Sequence, residues 1–172
     1  MTNWGPNTKY KCLEANTEIY LYGTNEIVTI EEMYHKSLLL GNDGVYSVYS
    51  YSPGTNTVIE GQVIDIVYNG YWRLHELTLS NGNKIKCTRD HKFLSAVSKD
   101  YVKVKNLAPG YELLAVNLEG EHTELVTVDK IEWIEEKAYC YDLEVRPNLN
   151  VALVAGIYAH NCCISQGVVH RD

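Results

Sequence analysis

Turn-forming dipeptides interrupt this sequence at short intervals and leave little room for long helices. They are Asn42-Asp43-Gly44, Pro53-Gly54, Asn69-Gly70, Asn81-Gly82 and Pro109-Gly110. An Asn-Gly pair between two apolar runs is the strongest short-range signal for a two-residue β-hairpin. We therefore expect many short antiparallel strands joined by hairpins.

The residues between these turns favour strands. The chain contains 14 tyrosines and many Val, Ile and Thr residues, which are the types enriched in β-strands. Strand-like runs occupy 58–68, 71–80, 83–88, 125–135, 137–145 and 149–158. Many short strands in one domain indicate an all-β fold of the sandwich or barrel type.

One short helix is predicted after residue 29. Thr29 and Glu32 have the spacing of a capping box, with Thr29 at the N-cap and Glu32 at the third helical position. Apolar side chains then recur at helical spacing, at Ile30, Met33, Tyr34 and Leu38. The pattern predicts a helix over 30–38.

Length and charge exclude several classes of protein. The 172 residues are enough for one domain, and 15 basic against 22 acidic residues give a net charge of −7 without a basic patch for nucleic acid. The longest apolar stretch, 151–157, is far shorter than the ~20 residues of a membrane helix, and no signal peptide is recognised. We expect a cytoplasmic monomer. Five cysteines, an odd number, suggest reactive thiols rather than a disulfide framework.

The tripeptide His160-Asn161-Cys162 has the chemistry to break its own backbone. The carboxamide of Asn161 can attack the carbonyl carbon of the same residue and form a succinimide if a neighbouring group assists proton transfer. His160, with an ordinary pKa of ~6.5, can do this near neutral pH. Cys162 adds a nucleophilic thiol at the bond that breaks. By itself the tripeptide is equally compatible with a surface loop.

Cys12 is a second candidate nucleophile, close to the other end of the chain. Its thiol can attack the carbonyl of Lys11 and form a thioester, provided that other groups activate the thiol and polarise the amide. Thr88 and His91, at the end of a strand-like run, offer a hydroxyl and an imidazole three residues apart. Thr-x-x-His alone is also common where a strand ends in a turn.

Together, these features resemble an intein, a self-splicing protein element. Cys12-Leu13-Glu14 is similar to the N-terminal splicing block of that family, and residues 83–94, with Thr88 and His91, to its second block. Residues 139–145 resemble the block that carries an aspartate, Asp142, and residues 156–162 the terminal block. The resemblance covers residues 12–161, without room for a homing endonuclease.

The resemblance implies a horseshoe-like all-β fold shared with hedgehog autoprocessing domains, with pseudo-two-fold halves and one or two short helices. It also implies that the catalytic residues are Cys12, Thr88, His91, Asp142, His160, Asn161 and Cys162. Asp142 is expected to accept protons from the thiols, with its pKa raised by burial. Asn150 stands where many relatives carry a histidine, so its part in assisting Asn161 is open.

The implied activity is autocatalytic splicing without cofactor or metal. Residues 12–161 are excised as the splicing domain, and the flanks 1–11 and 162–172 are ligated between Lys11 and Cys162. The substrate is therefore the chain's own flanking polypeptide. The polar stretch 117–123 corresponds to the usual place of the endonuclease and is a candidate site for a natural split.

Two alternatives remain. A hedgehog-type autoprocessing domain shares the first thioester step but has no need of His160-Asn161-Cys162, and a β-rich binding module has no need of any of these residues. A zinc site is disfavoured because no Cys-x-x-Cys pair is present. The residues considered for zinc are Cys12, Cys87, His91, Cys140, His160 and Cys162. Cys87 and Cys140 are expected to pack as small apolar residues.

Overall fold

Strands make up nearly all of the regular structure in this computed structural model, which describes residues 11–41, 46–119 and 124–161. The elements are β1 (Leu13–Glu14), β2 (Glu18–Tyr20), β3 (Ile27–Thr29), α1 (Ile30–Leu40), β4 (Tyr46–Ser52), β5 (Thr57–Leu79), β6 (Lys84–Cys87), β7 (Lys92–Leu94), β8 (Tyr101–Lys103), a 3₁₀ turn (Val104–Asn106), β9 (Glu112–Leu114), β10 (Leu125–Arg146), β11 (Asn150–Ala152) and β12 (Tyr158–His160). The predicted all-β class is confirmed.

Two long antiparallel strands, β5 and β10, form the frame of the molecule. They pair from Val128 opposite Leu79 to Arg146 opposite Gln62. The six-stranded sheet has the order β4-β5-β6-β1-β10-β9, a four-stranded sheet has the order β11-β12-β7-β8, and β2 pairs with β3. Apolar side chains from both larger sheets form the main core, including Leu77, Leu143 and Val151.

This topology places the two candidate reaction sites beside one short segment. β1, which starts directly after Cys12, pairs with β6 through Leu13 opposite Cys87. β12, which ends directly before Asn161, pairs with β7 through Ala159 opposite Phe93. Because β6 and β7 are joined by only four residues, the segments that begin at Cys12 and end at Asn161 flank the same turn.

The hairpin predicted at Asn69-Gly70 is wrong. β5 continues through both residues, and the pairing register with β10 shifts between Cys140 opposite Gly70 and Tyr141 opposite Tyr68. Asn69 is therefore the extra residue of a β-bulge, and Gly70 has a φ of +114°. A bulge of this kind needs the same freedom at positive φ that a tight turn needs. The runs 125–135 and 137–145 likewise form one strand, β10, with a register shift between Trp133 and Lys137.

Other turns agree with the prediction. Asn81-Gly82 connects β5 and β6, where the Leu79 amide donates a hydrogen bond of 2.9 Å to the Asn83 carbonyl. Pro109-Gly110 lies in a turn before β9, and Pro53-Gly54 lies in the turn between β4 and β5. The Asn42-Asp43-Gly44 signal lies outside the described residues.

Helix α1 begins where its capping box predicts. The Thr29 amide donates to Glu32 Oε1 at 2.8 Å, and the Glu32 amide donates to Thr29 Oγ1 at 3.1 Å. The helix extends to Leu40, two residues beyond the predicted end. Leu38 keeps helical spacing with Ile30 and Tyr34, but it is 64% exposed, and Ser37 is buried instead. With 11 residues, α1 is too short to cross a membrane, and no other helix in the described ranges is long and apolar enough to do so.

Candidate active site

Thr88 lies directly against the peptide bond that the chemistry would break. The amide nitrogen of Cys12, which belongs to the Lys11–Cys12 bond, donates a hydrogen bond of 3.1 Å to Thr88 Oγ1. The Thr88 amide returns a bond of 3.1 Å to the Cys12 carbonyl. Pairing of β1 with β6 sets this contact, since Thr88 directly follows the last residue of β6. The hydroxyl is therefore held at the nitrogen that would leave.

His91 lies on the same tight turn and is fully buried. Its amide donates to the Thr88 carbonyl at 3.1 Å, and its carbonyl accepts from the Val104 amide at 2.9 Å. Its ring packs against Phe93, with centroids 5.3 Å apart. Asp90 holds the turn from outside through an ion pair of 3.1 Å with Lys105. The turn therefore carries both predicted side chains on one rigid segment.

The thiol of Cys12 is fully buried beside that of Cys140, a residue predicted only to pack as a small apolar side chain. Cys12, Leu74 and Cys140 form a small apolar cluster. Burial raises the pKa of the Cys12 thiol well above its ordinary value, and a hydrogen bond with Cys140 and the charge of Asp142 raise it further. Cys12 therefore rests as a neutral thiol and needs a base to react.

Asp142 is a carboxylate whose charge acts on this thiol. It is 1% exposed, in β10, and its Oδ1 accepts a hydrogen bond of 2.8 Å from the Leu143 amide. The alternative of a solvated strand carboxylate is therefore wrong. Cys140 and Asp142 are two residues apart on one strand, so both side chains point to the same face of the sheet. That spacing is the sequence signal that could have linked Cys140 to the site.

At the other junction, the side chain of Asn161 is buried without a hydrogen bond to any residue that the structure describes. Its amide donates to the Leu149 carbonyl at 2.8 Å, which fixes the backbone. Neither Oδ1 nor Nδ2 has a hydrogen-bond partner within the described residues, although the residue is fully buried. Leaving a buried carboxamide unpaired is costly and is typical of sites with a function. The group is available to turn toward its own carbonyl carbon.

His160 is neutral in this environment. Burial lowers its pKa to about 4, and the positive charges of Lys92 and Lys11 contribute to the shift, against a smaller opposite effect of Asp100. The expectation of an ordinary histidine pKa is therefore wrong, and the imidazole is neutral near pH 7. The influence of Lys11 also shows that the residue before Cys12 lies near the residue before Asn161.

Asn150 is opposite His160 in the sheet, but its side chain is engaged elsewhere. Oδ1 accepts from the Tyr51 amide at 2.7 Å and from Ser50 Oγ at 3.0 Å. Nδ2 donates to the Tyr51 carbonyl and to the Tyr101 hydroxyl, each at 2.9 Å. With four partners, the carboxamide of Asn150 is fully satisfied, and it makes no hydrogen bond to the Asn161 side chain.

The site thus brings together Thr88 with Cys12 at one junction and His160 with Asn161 at the other. Cys162, the expected second nucleophile, lies outside the described residues. Within the described ranges, no group of three or more His, Cys, Asp or Glu residues has the geometry to hold a metal ion.

Comparison with solved structures identifies the fold. No protein-family model matches the chain, and no curated protein sequence matches it. A DnaB intein from Synechocystis sp. has a TM-score of 0.75 at 18% identity, covering 88% of this chain and 99% of that one. A bacterial intein-like domain from Clostridium thermocellum has a TM-score of 0.70 at 24% identity, with 88% and 99% covered. The TvoVMA intein has a TM-score of 0.73 at 18% identity, with 88% and 98% covered. The chain therefore has the all-β fold of inteins.

Proposed function

We propose that this chain, which has the fold of inteins, splices itself by excising residues 12–161 and joining Lys11 to Cys162. The observation that carries the proposal is the hydrogen bond from the Cys12 amide nitrogen to Thr88 Oγ1, on the turn that also holds His91. A hydroxyl bonded to one specific peptide nitrogen, with a buried imidazole on the same turn, has no evident use in a binding module. They are what an acyl transfer at that bond requires.

In the first step, Cys12 Sγ attacks the carbonyl carbon of Lys11. The bond from this carbon to the Cys12 nitrogen breaks, and a thioester and a free amine form. The thiol proton passes to Asp142, and the imidazolium of His91 gives a proton to the leaving nitrogen, so that protons are conserved. Thr88 keeps the nitrogen oriented throughout.

In the second step, the thiol of Cys162 attacks the thioester. The acyl group moves to Cys162, and the proton of that thiol ends on the sulfur of Cys12. Asn161 Nδ2 then attacks its own carbonyl carbon, and the Asn161–Cys162 bond breaks. Neutral His160 accepts the proton from Nδ2 and passes it to the Cys162 nitrogen. That amine finally attacks the neighbouring thioester, which gives the new peptide bond.

Every step exchanges one acyl linkage for another, so the proposal needs neither nucleotide nor metal. The substrate consists of the chain's own flanks, 1–11 and 162–172, and the reaction is that of a monomer. It takes place wherever the host protein is made, which we propose is the cytoplasm.

Mass spectrometry of the purified chain tests the proposal. Splicing converts the 19.5 kDa chain into residues 12–161 and a peptide in which residues 1–11 are joined to 162–172. Cleavage after Lys11 with an added nucleophile, but without ligation, would instead support the hedgehog-type alternative. An unchanged mass after prolonged incubation with reductant would support the binding module and contradict splicing.

Two substitutions distinguish upstream cleavage after Lys11 from downstream release at Asn161. Asn161→Ala removes the group that releases the downstream junction but leaves thioester formation intact, so excess dithiothreitol should still cleave after Lys11. His91→Ala should slow that upstream cleavage by ~10²–10⁴, the usual effect of one general acid, and leave release at Asn161 possible. Equal rates of thiol-induced cleavage in both variants would remove His91 from the mechanism.

A further inference from the structure

We infer that Tyr101, held by Asn150, is a positioning residue that orients the imidazole of His160 for cyclisation of Asn161. The inference rests on the proposed function and extends it to two residues that the splicing steps do not use. It follows from a ring contact, a hydrogen-bond chain and the order of four strands.

Tyr101 reaches His160 by crossing the four-stranded sheet. Tyr101 opens β8, at one edge of the sheet, and is opposite Leu94 in the neighbouring strand β7. His160 closes β12, on the other side of β7. The two rings meet edge to face, with centroids 4.4 Å apart and planes at 64°. The tyrosine ring therefore lies over the imidazole of a residue two strands away.

The far end of Tyr101 is anchored on the strand beyond His160. Its hydroxyl accepts the hydrogen bond of 2.9 Å from Asn150 Nδ2, in the edge strand β11. Asn150 is itself fixed by the Tyr51 backbone and Ser50 in β4, which belongs to the six-stranded sheet. The tyrosine side chain is thus held at both ends, and the imidazole packs against its middle.

This ring contact fixes the orientation of the His160 side chain. The contact is made by the rings themselves, and no hydrogen bond to either ring nitrogen of His160 is present within the described residues. Edge-to-face packing restricts the side-chain torsions of the histidine without using its nitrogens. A base that must reach one proton depends on such orientation, because small misplacements cost large factors in rate.

The contact also keeps His160 neutral. The tyrosine ring contributes to the burial that lowers the pKa of the imidazole, together with the charges of Lys92 and Lys11 and against that of Asp100. Tyr101 is itself partly buried, and burial raises its pKa, so its hydroxyl stays protonated near neutral pH. Removing the ring should both loosen His160 and make it easier to protonate.

The experiment uses the full chain with Cys12→Ala, in which the thioester cannot form and release at Asn161 is isolated. Cleavage between Asn161 and Cys162 is followed by mass spectrometry in this parent and in variants of it. We expect Tyr101→Leu to slow cleavage by ~10–100-fold and Tyr101→Phe, which keeps the ring but loses the anchor, by a few-fold. The matched control is Tyr49→Phe, which removes a buried hydroxyl bonded to Gly23 and Asn25. It should leave the rate unchanged.

A double-mutant cycle separates positioning from general loss of structure. If Tyr101 acts through His160, then Tyr101→Leu combined with His160→Ala should cleave no more slowly than His160→Ala alone. If Tyr101 only supports the fold, the two effects should multiply. Multiplied effects, or a rate for Tyr101→Leu equal to that of the parent, would overturn the inference.

A measurement that does not depend on cleavage distinguishes this inference from the proposed function. NMR titration of the histidine ring carbons should show His160 of the Tyr101→Leu variant with a pKa higher than in the parent, moved toward ~6.5. A parent that never cleaves would contradict the proposed function and, with it, the role of Tyr101 in cyclisation. Cleavage in the parent with an unchanged His160 pKa and unchanged rate in Tyr101→Leu would overturn the inference alone.

Discussion

At the scale of single residues, the hydroxyl of Thr88 provides a sharp test of the upstream junction. Thr88→Ala removes the acceptor for the Cys12 amide nitrogen, whereas Thr88→Ser keeps it. A hydrogen bond of this kind contributes about 0.5–1.5 kcal/mol. We therefore expect Thr88→Ala to slow hydroxylamine cleavage after Lys11 by up to ~10-fold and Thr88→Ser to stay near the wild-type rate. Equal rates in both variants would show that the contact is structural only.

The lowered pKa of His160 predicts how downstream release depends on pH. With a pKa of about 4, the imidazole is neutral from pH 6 to pH 8 and becomes protonated only in stronger acid. If the neutral ring accepts the proton of Asn161, cleavage in the Cys12→Ala chain should be constant over pH 6–8. It should fall below pH 5 and approach a tenfold loss per unit below pH 4. A rate that increases between pH 8 and pH 6 would instead assign the work to the imidazolium form.

At the scale of elements, the bulge in β5 depends on one glycine. Gly70 has a φ of +114°, and a Cβ there would lie 2.7 Å from Trp72 Nε1, which itself donates to the Asn69 carbonyl. Strain at such a backbone position costs about 1–3 kcal/mol. We expect Gly70→Ala to lower the free energy of unfolding by that amount in urea denaturation. Gly54→Ala, whose Cβ meets no atom within 4 Å, is the control and should change it by less than about 0.5 kcal/mol.

The elements that sequence predicts well are those determined by local chemistry. Thr29 and Glu32 define the start of α1 because both partners of the capping box lie within one turn. Asn69-Gly70 misleads because an Asn-Gly pair permits positive φ, which hairpins and bulges both use. Pairing with β10 decides between them, and β10 is some 70 residues away. Leu38 keeps helical spacing, but none of the described elements covers that position.

At the scale of the whole molecule, the site is only partly readable from sequence. Thr88, His91 and Asn161 are recognisable because the order of their motifs along the chain resembles that of inteins, although neither motif is distinctive alone. Tyr101 and Asn150 carry no such signal, since their places beside His160 follow from the order of β11, β12, β7 and β8. Strand order is a long-range property that residue types at one position do not encode.

The long antiparallel pairing of β5 with β10 predicts that the chain can be made as two pieces that associate. A cut within residues 120–123 leaves β10 to β12 on the second piece, and β10 pairs with β5, β1 and β9 on the first. Separately produced pieces should therefore associate on mixing, which size-exclusion chromatography detects, and should yield the ligated flanks. The first piece with Cys12→Ala should associate equally well without ligation. Pieces that remain separate would show that pairing of β5 with β10 is too weak to drive their association.

The buried position of Cys12 determines how readily its thiol is oxidised or alkylated. Peroxides and alkylating agents attack the thiolate form of accessible cysteines. Cys12 is fully enclosed, and its raised pKa keeps the sulfur protonated. Chemical damage at this atom should therefore be rare before the reaction begins, even under oxidative stress. The same burial and raised pKa keep little of the Cys12 thiol in its nucleophilic thiolate form. The features that protect this sulfur from chemical damage therefore also slow its attack on the Lys11 carbonyl.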